Sequence, residues 1–294
     1  SEPGDDTFIL VYPEGFDDDA HIFKNGTTQN ATRFTRADIE KKWGIPSYLQ
    51  GEGWRSWNGV GSSGSPGKYG PTCDEGHAGG LPWYACLESC GRCSDECWWS
   101  ACHDDVLFTE QLLNKLEDTY CIDKDHVFAS GFSNGAMFLY ELSQHARIAE
   151  RFSGMLTVAG LPLIGFANPP ASSRTRLFGI WGHKDRVVAN EHSMTGHFAG
   201  EDVKIAMSSE GFYYVPATEV VDIWARARNL ELVDLELNSG FKHDCRAAFR
   251  AGEMNIVSCF WPGPHMWPAW ATEYAISFFF YGKLPNLGDR LFSV

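Results

Sequence analysis

The segment from Val127 to Met137, VFASGFSNGAM, constrains the fold more than any other stretch of the chain. A short apolar run enters a turn flanked by Gly131 and Gly135, and a helical pattern leaves it from Asn134 to about His145. A strand delivered straight into a helix is half of a β-α-β crossover, and such crossovers build parallel sheets with helices on both faces. Other segments agree. Met155 to Val158, Leu177 to Trp181, Leu230 to Leu237 and Asn255 to Phe260 read as strands. Asp104 to Tyr120, Ala217 to Arg228 and Ala269 to Tyr281 carry helical patterns, and a short helix is expected near Arg36 to Trp43. Thr7 to Tyr12 (TFILVY) is almost continuously apolar and ends at Pro13, which predicts a strand buried on both faces. The expectation is one α/β domain over residues 1–294, built on a mostly parallel sheet, with a Gly/Ser- and Cys-rich insertion over residues 60–103.

Charge removes two classes of partner. Lys and Arg total 24 against 38 Asp and Glu, a net charge of −14, and no basic cluster makes a local exception. Such a surface repels phosphate backbones and anionic bilayers, so neither nucleic acid nor a membrane is expected. The apolar run nearest to a membrane span, Ala275 to Tyr281, is far too short to cross one. Nine cysteines and two sequons, Asn25-Gly-Thr and Asn30-Ala-Thr, point to an oxidising secretory compartment with glycosylation at Asn25 and Asn30. A secreted, extracellular protein is expected.

The Gly-flanked turn also carries chemistry. Ser133 is the centre of Gly131-Phe-Ser-Asn-Gly135, the one Gly-x-Ser-x-Gly in the sequence. In so tight a turn, side chains two residues either side of the serine would crowd the backbone, which accounts for both glycines. The hydroxyl then stands above the sheet, and the Asn134 N–H at the helix start faces the place where an oxyanion would form. A serine hydroxyl becomes a strong nucleophile only when a base takes its proton, and that base needs an orienting carboxylate. The chain order Ser, acid, His selects Asp185, in the loop after Leu177 to Trp181, and His265, in the Pro-rich loop Trp261 to Pro268. His243 is the runner-up base, and His183 lies too close to Asp185 in one loop. This chemistry needs no metal and no organic cofactor. Trp181 and Trp267 neighbour the acid and the base in sequence and are candidate walls of a substrate pocket.

Six segments occur in one order: Leu10 to Gly15 (LVYPEG), Ser56-Trp57-Asn58, Asp104-Asp105-Val106, the Val127 to Gly135 turn, Gly182-x-x-Asp185, and the His265-x-Trp267-Pro268 loop. In this the chain resembles the secreted polyhydroxybutyrate depolymerase and feruloyl or acetylxylan esterase group of α/β-hydrolases, over roughly residues 7 to 285. The resemblance implies an α/β-hydrolase sheet and a Ser133, Asp185, His265 triad acting on carboxylic esters. The substrate would be polymeric, a polyester or an esterified polysaccharide, with the individual ester left open. Three features depart from the group. The strand and His-Gly turn that donate the second oxyanion N–H are absent upstream of Thr7, so N-terminal strand structure of that fold is expected to be missing. Trp181 stands where a His is common, and the cysteine-rich insertion is additional. Two other classes stay open: a non-catalytic polysaccharide or polyester binder on a decayed scaffold, and an acyltransferase using the same three residues.

Among the cysteines, Cys245–Cys259 is expected as a pair bracing the strand that leads to His265, and Cys102–Cys121 as a pair closing the helix between them. Cys73, Cys86, Cys90, Cys93 and Cys97 remain within the insertion. The spacing of Cys86, Cys90, Cys93 and Cys97 also suits four zinc thiolates. Disulfides are favoured, because the sequons and the other cysteines argue for oxidation.

Overall fold

A computed structural model describes residues 8–15, 20–22, 32–33, 55–74, 86–90, 97–198, 200–235 and 244–285. Asn25, Asn30, His243 and the short helix expected near Arg36 lie outside these residues. Three short strands, β1 (Ala20–Ile22), β2 (Thr32–Arg33) and β3 (Cys86–Leu87), pair antiparallel in the order β2-β1-β3. Helix α1 (Asp105–Thr119) starts where the Asp104 carboxylate accepts the Leu107 N–H at 2.9 Å, filling an otherwise unpaired first-turn donor.

From there the strand–helix alternation runs as the sequence pattern predicts. Strand β4 (Phe128–Phe132) leads into α2 (Asn134–Gln144) and the single turn α3 (Ala146–Ala149), followed by β5 (Gly154–Val158) and β6 (Arg176–Gly182). A three-stranded antiparallel sheet then intervenes, with β7 (Met194–Phe198), β8 (Glu201–Met207) and β9 (Tyr213–Tyr214) in that order. Helix α4 (Ala217–Arg226), β10 (Val233–Leu235), β11 (Asp244–Arg250), β12 (Glu253–Trp261) and α5 (Ala271–Tyr281) complete the described chain.

The main sheet has six strands in the order β10-β11-β12-β6-β5-β4. β4, β5, β6 and β12 are mutually parallel, and β11 and β10 extend the sheet antiparallel beyond β12. All of β5 and nearly all of β6 are buried. Side chains alternate between faces along a strand. Leu177 and Trp181 therefore pack with Trp224 of α4 on one face, while Phe178 and Ile180 pack with Tyr274 and Phe278 of α5 on the other.

Two expectations fail here. Residues 8–15 form no strand, and Phe8, Leu10 and Tyr12 are 68%, 71% and 80% exposed. The run has the composition of a buried strand but no ladder partner among the described residues, and an apolar strand without a neighbour leaves its main-chain groups to water. Of the expected strand from Leu230 to Leu237, residues 230–232 are not strand and Val233–Leu235 is; residues 236–237 lie outside the described residues. β7, β8 and β11 lacked a clear signal, because they are partly exposed: β8 and β11 carry charged residues and alanines, and β7 is Met-Thr-Gly-His-Phe, with no apolar run.

Candidate active site

Ser133 lies between β4 and α2 at φ 53° and ψ −120°, a conformation that costs a non-glycine residue roughly 1–3 kcal/mol. The surrounding bonds hold it there. Its N–H donates to the Val158 carbonyl of β5 at 2.9 Å, and its own carbonyl accepts from Ala136 and Met137 at 3.0 and 3.1 Å. A Cβ on Gly131 would meet the Gly135 carbonyl oxygen at 2.4 Å, so only glycine fits on the strand side of the turn. Gly135 differs from expectation: a Cβ there would meet nothing within 4 Å, so the crowding lies entirely at Gly131.

Ser133, His265 and Asp185, some 130 residues apart at the extremes, lie in one hydrogen-bonded chain. Ser133 Oγ is 2.9 Å from His265 Nε2, and His265 Nδ1 is 2.7 Å from Asp185 Oδ2. With the ring proton on Nδ1, the imidazole donates to the carboxylate and leaves Nε2 as acceptor for the serine hydroxyl. Asp185 is buried and its second oxygen, Oδ1, accepts the N–H groups of Val187 and Val188 at 2.9 and 3.0 Å. Three donors on one carboxylate compensate its removal from water. The ring of Phe132 lies 5.0 Å from that of His265 and is itself part-exposed beside the serine.

Two loops carry the acid and the base, and they are tied together. The His183 N–H donates to the Trp261 carbonyl at 2.8 Å and the Lys184 N–H to the Gly263 carbonyl at 3.0 Å. They approach so closely that a Cβ on Gly182 would meet the Gly263 carbonyl oxygen at 2.3 Å. The expected disulfide Cys245–Cys259 joins the facing positions of β11 and β12 just before the His265 loop. The competing His183 pairs with Glu191 and stacks on Phe260.

The other cysteines correct the sequence reading. Cys102 pairs with Cys90 rather than Cys121, and Cys121 is exposed and free. The 15-residue helix α1 separates Cys102 from Cys121, whereas Cys90 and Cys102 have Cα atoms 4.9 Å apart. Cys73 pairs with Cys97. Cys90 and Cys97 are thereby spent, and the four-thiolate zinc reading falls. Cys93 lies outside the described residues, and of Cys86 only the backbone is described.

Trp181 does not line the site as expected. Trp181 is wholly buried in the core, its indole N–H donating to the Gly160 carbonyl at 3.2 Å. Position next to an acid loop placed it near the site in sequence, but strand alternation turns its ring into the α4 face. Trp267 packs on the cluster around α5 and directs its indole N–H to Thr272 at 3.3 Å.

The structure adds a support that the sequence did not reveal. The Asn134 amide and the Trp57 main chain bond reciprocally: Trp57 N–H donates to Asn134 Oδ1 at 2.6 Å, and Asn134 Nδ2 donates to the Trp57 carbonyl at 2.9 Å. The next residue, Asn58, donates its N–H to Asp105 Oδ2 at 2.8 Å. Asp105 is buried, its Oδ1 has no partner, and burial above all pushes its carboxyl above the usual aspartate range. Asn134 opens α2, where first-turn N–H groups have no acceptor inside the helix. The 57–58 segment thus fixes the residue whose N–H is the expected oxyanion donor. No signal in the sequence pairs Asn134 with residues 77 positions upstream.

Neither a protein-family model nor a curated protein matches this chain. Among the described residues, no group of three or more His, Cys, Asp or Glu could hold a metal ion, and no helix is long and apolar enough to cross a membrane.

Proposed function

We propose that this chain is a secreted serine esterase of the α/β-hydrolase type, cleaving carboxylic esters through an acyl-enzyme. One observation carries the reading: the Ser133–His265–Asp185 hydrogen-bond chain, with the serine on a strained strand-to-helix turn. In the reaction, His265 Nε2 takes the Ser133 proton as Oγ attacks the ester carbonyl carbon. The Asn134 N–H supports the oxyanion that forms. Collapse breaks the bond to the alcohol oxygen, which leaves with the proton from Nε2. Water, giving its proton to the same nitrogen, then attacks the acyl-enzyme and releases the acid and free Ser133. Asp185 holds the tautomer and steadies the imidazolium throughout. Exposed Phe132, Val187 and Met266 lie within two residues of the three in sequence and supply apolar surface for an acyl or polymer chain. The disulfides among the described residues suit an extracellular setting.

A second reading, a polymer binder without turnover, draws on β4. That strand pairs with β5 alone among the described residues, and the apolar segment 8–12 lies exposed. Fluorophosphonate labelling followed by peptide mass spectrometry separates the two. Labelling at Ser133 that disappears in His265→Ala is the result expected of an esterase. A folded chain that takes no label sinks that reading and leaves the binder.

A further inference from the structure

The end of the main sheet opposite Ser133 holds a cavity of about 390 Å³, within the size range of small-molecule pockets. It lies among the starts of β6 and β12 and the loop before β4, and is lined by Arg174, Arg176, Arg250, Asp125, Glu253 and Asn255. The nine residues of β12, eight steps of ~3.3 Å, put it about 26 Å from the serine end.

How the arginines are held decides what the cavity can do. Arg176 donates to the main-chain carbonyls of Phe278, at 3.0 Å, and Phe279, at the end of α5. Arg250 donates to the Ser173 carbonyl at 3.1 Å. Behind them, Arg228 is 6% exposed and bonds the carbonyls of Ser172 and Thr175 at 2.9 and 2.7 Å. Carbonyls satisfy N–H donors but carry no charge to neutralise a guanidinium. Arg174 alone of the four has a carboxylate in contact, Asp125 at 2.7 Å, and Glu253 is the second acid in the lining. Burial first, and repulsion from Arg250 second, push the Arg228 guanidinium down to about 10. Cationic charge thus exceeds anionic charge here, in a chain whose net charge is −14. Asn255 also lines the cavity; it is 6% exposed, and its unpaired Oδ1 has no accessible surface of its own.

We propose that this cavity binds a tetrahedral oxyanion, sulfate or phosphate. The exposed guanidiniums of Arg174 and Arg250 supply the charge. Arg and oxyanion make charge-assisted, often bidentate bonds. The site is independent of ester cleavage, so it is tested on Ser133→Ala, where no hydrolysis interferes. Calorimetric titrations use inorganic sulfate and phosphate, glucose 6-sulfate, glucose 6-phosphate and, as control, glucose. Saturable binding of an anion, none of glucose, and at least about tenfold weaker binding in Arg174→Gln/Arg250→Gln are expected. Tighter binding of the sugar ester than of the bare ion assigns the sugar-borne form, and equal binding assigns the free ion. Arg250→Gln alone serves if the double variant does not fold. No saturable binding of any anion, or binding undiminished by these substitutions, overturns the proposal.

Discussion

The two ends of the parallel strands bury charge in opposite ways. At the carboxyl end, Asp185 receives His265 and two main-chain N–H groups, and its loop is bonded directly to the loop that carries the histidine. At the amino end, arginines are held by carbonyls of α5 and of the loop before β6, and their charge stays largely uncompensated. The difference is one of purpose as well as geometry. A compensated carboxylate is a fixed part that can orient an imidazole. An uncompensated guanidinium can brace a helix end and still attract an anion.

Substitutions at the two ends should therefore separate turnover from stability. The largest effect belongs to Ser133→Ala or His265→Ala, each expected to lower kcat on an ester by on the order of 10⁶-fold, with the double variant little worse. Additive losses, measured by steady-state kinetics, would break the reading of the serine end as one unit. Asp185→Asn should cost about 10⁴-fold in kcat while moving the urea midpoint little, because the wrong imidazole tautomer is then favoured. An equally large loss of stability would mean that the carboxylate holds the loop more than the histidine.

Arg228→Ala should do the reverse. It strips donors from two buried carbonyls and should cost about 2–4 kcal/mol in urea unfolding, with turnover per folded molecule unchanged. A fall in kcat at constant fold would erase the contrast between the ends. Asp105 sharpens it, being a buried carboxyl at the serine end that lacks the compensation of Asp185. Its folded pKa is raised, so the folded chain holds this proton to higher pH than the unfolded one. Its stabilising contribution is complete below the ordinary aspartate value of about 3.9 and is lost as pH rises through the raised value. Asp105→Asn cannot ionise and should flatten the decline in urea midpoint above about pH 4. An unchanged profile would assign that decline to other groups. The smallest effect is expected for Leu10→Ser, within about 0.5 kcal/mol, since its side chain is exposed. A cost of several kcal/mol would show that residues 8–12 are paired in solution.

The amino-acid sequence by itself determined what short range controls. The turn at Ser133, the helix after it, the β5 and β6 cores and the order of Ser133, Asp185 and His265 are visible as spacing, because a glycine that must admit a backbone, or a fully apolar strand, is a local requirement. The Cys245–Cys259 pair was expected as a brace of the strand leading to His265, although β11, which carries Cys245, gave no clear strand signal. Tertiary structure alone decided the rest. Residues 8–12 and β5 have similar composition, yet one is exposed and the other buried, since a strand is made by its neighbours. Cys102 chose Cys90 because helix α1 carries Cys121 away. The alternation of β6 sends Trp181 inward although it adjoins the acid loop, and the reciprocal bonds between Asn134 and Trp57 join segments that no local pattern connects. Arginines scattered from 174 to 250 become one cavity only when strand starts meet at an end of the sheet.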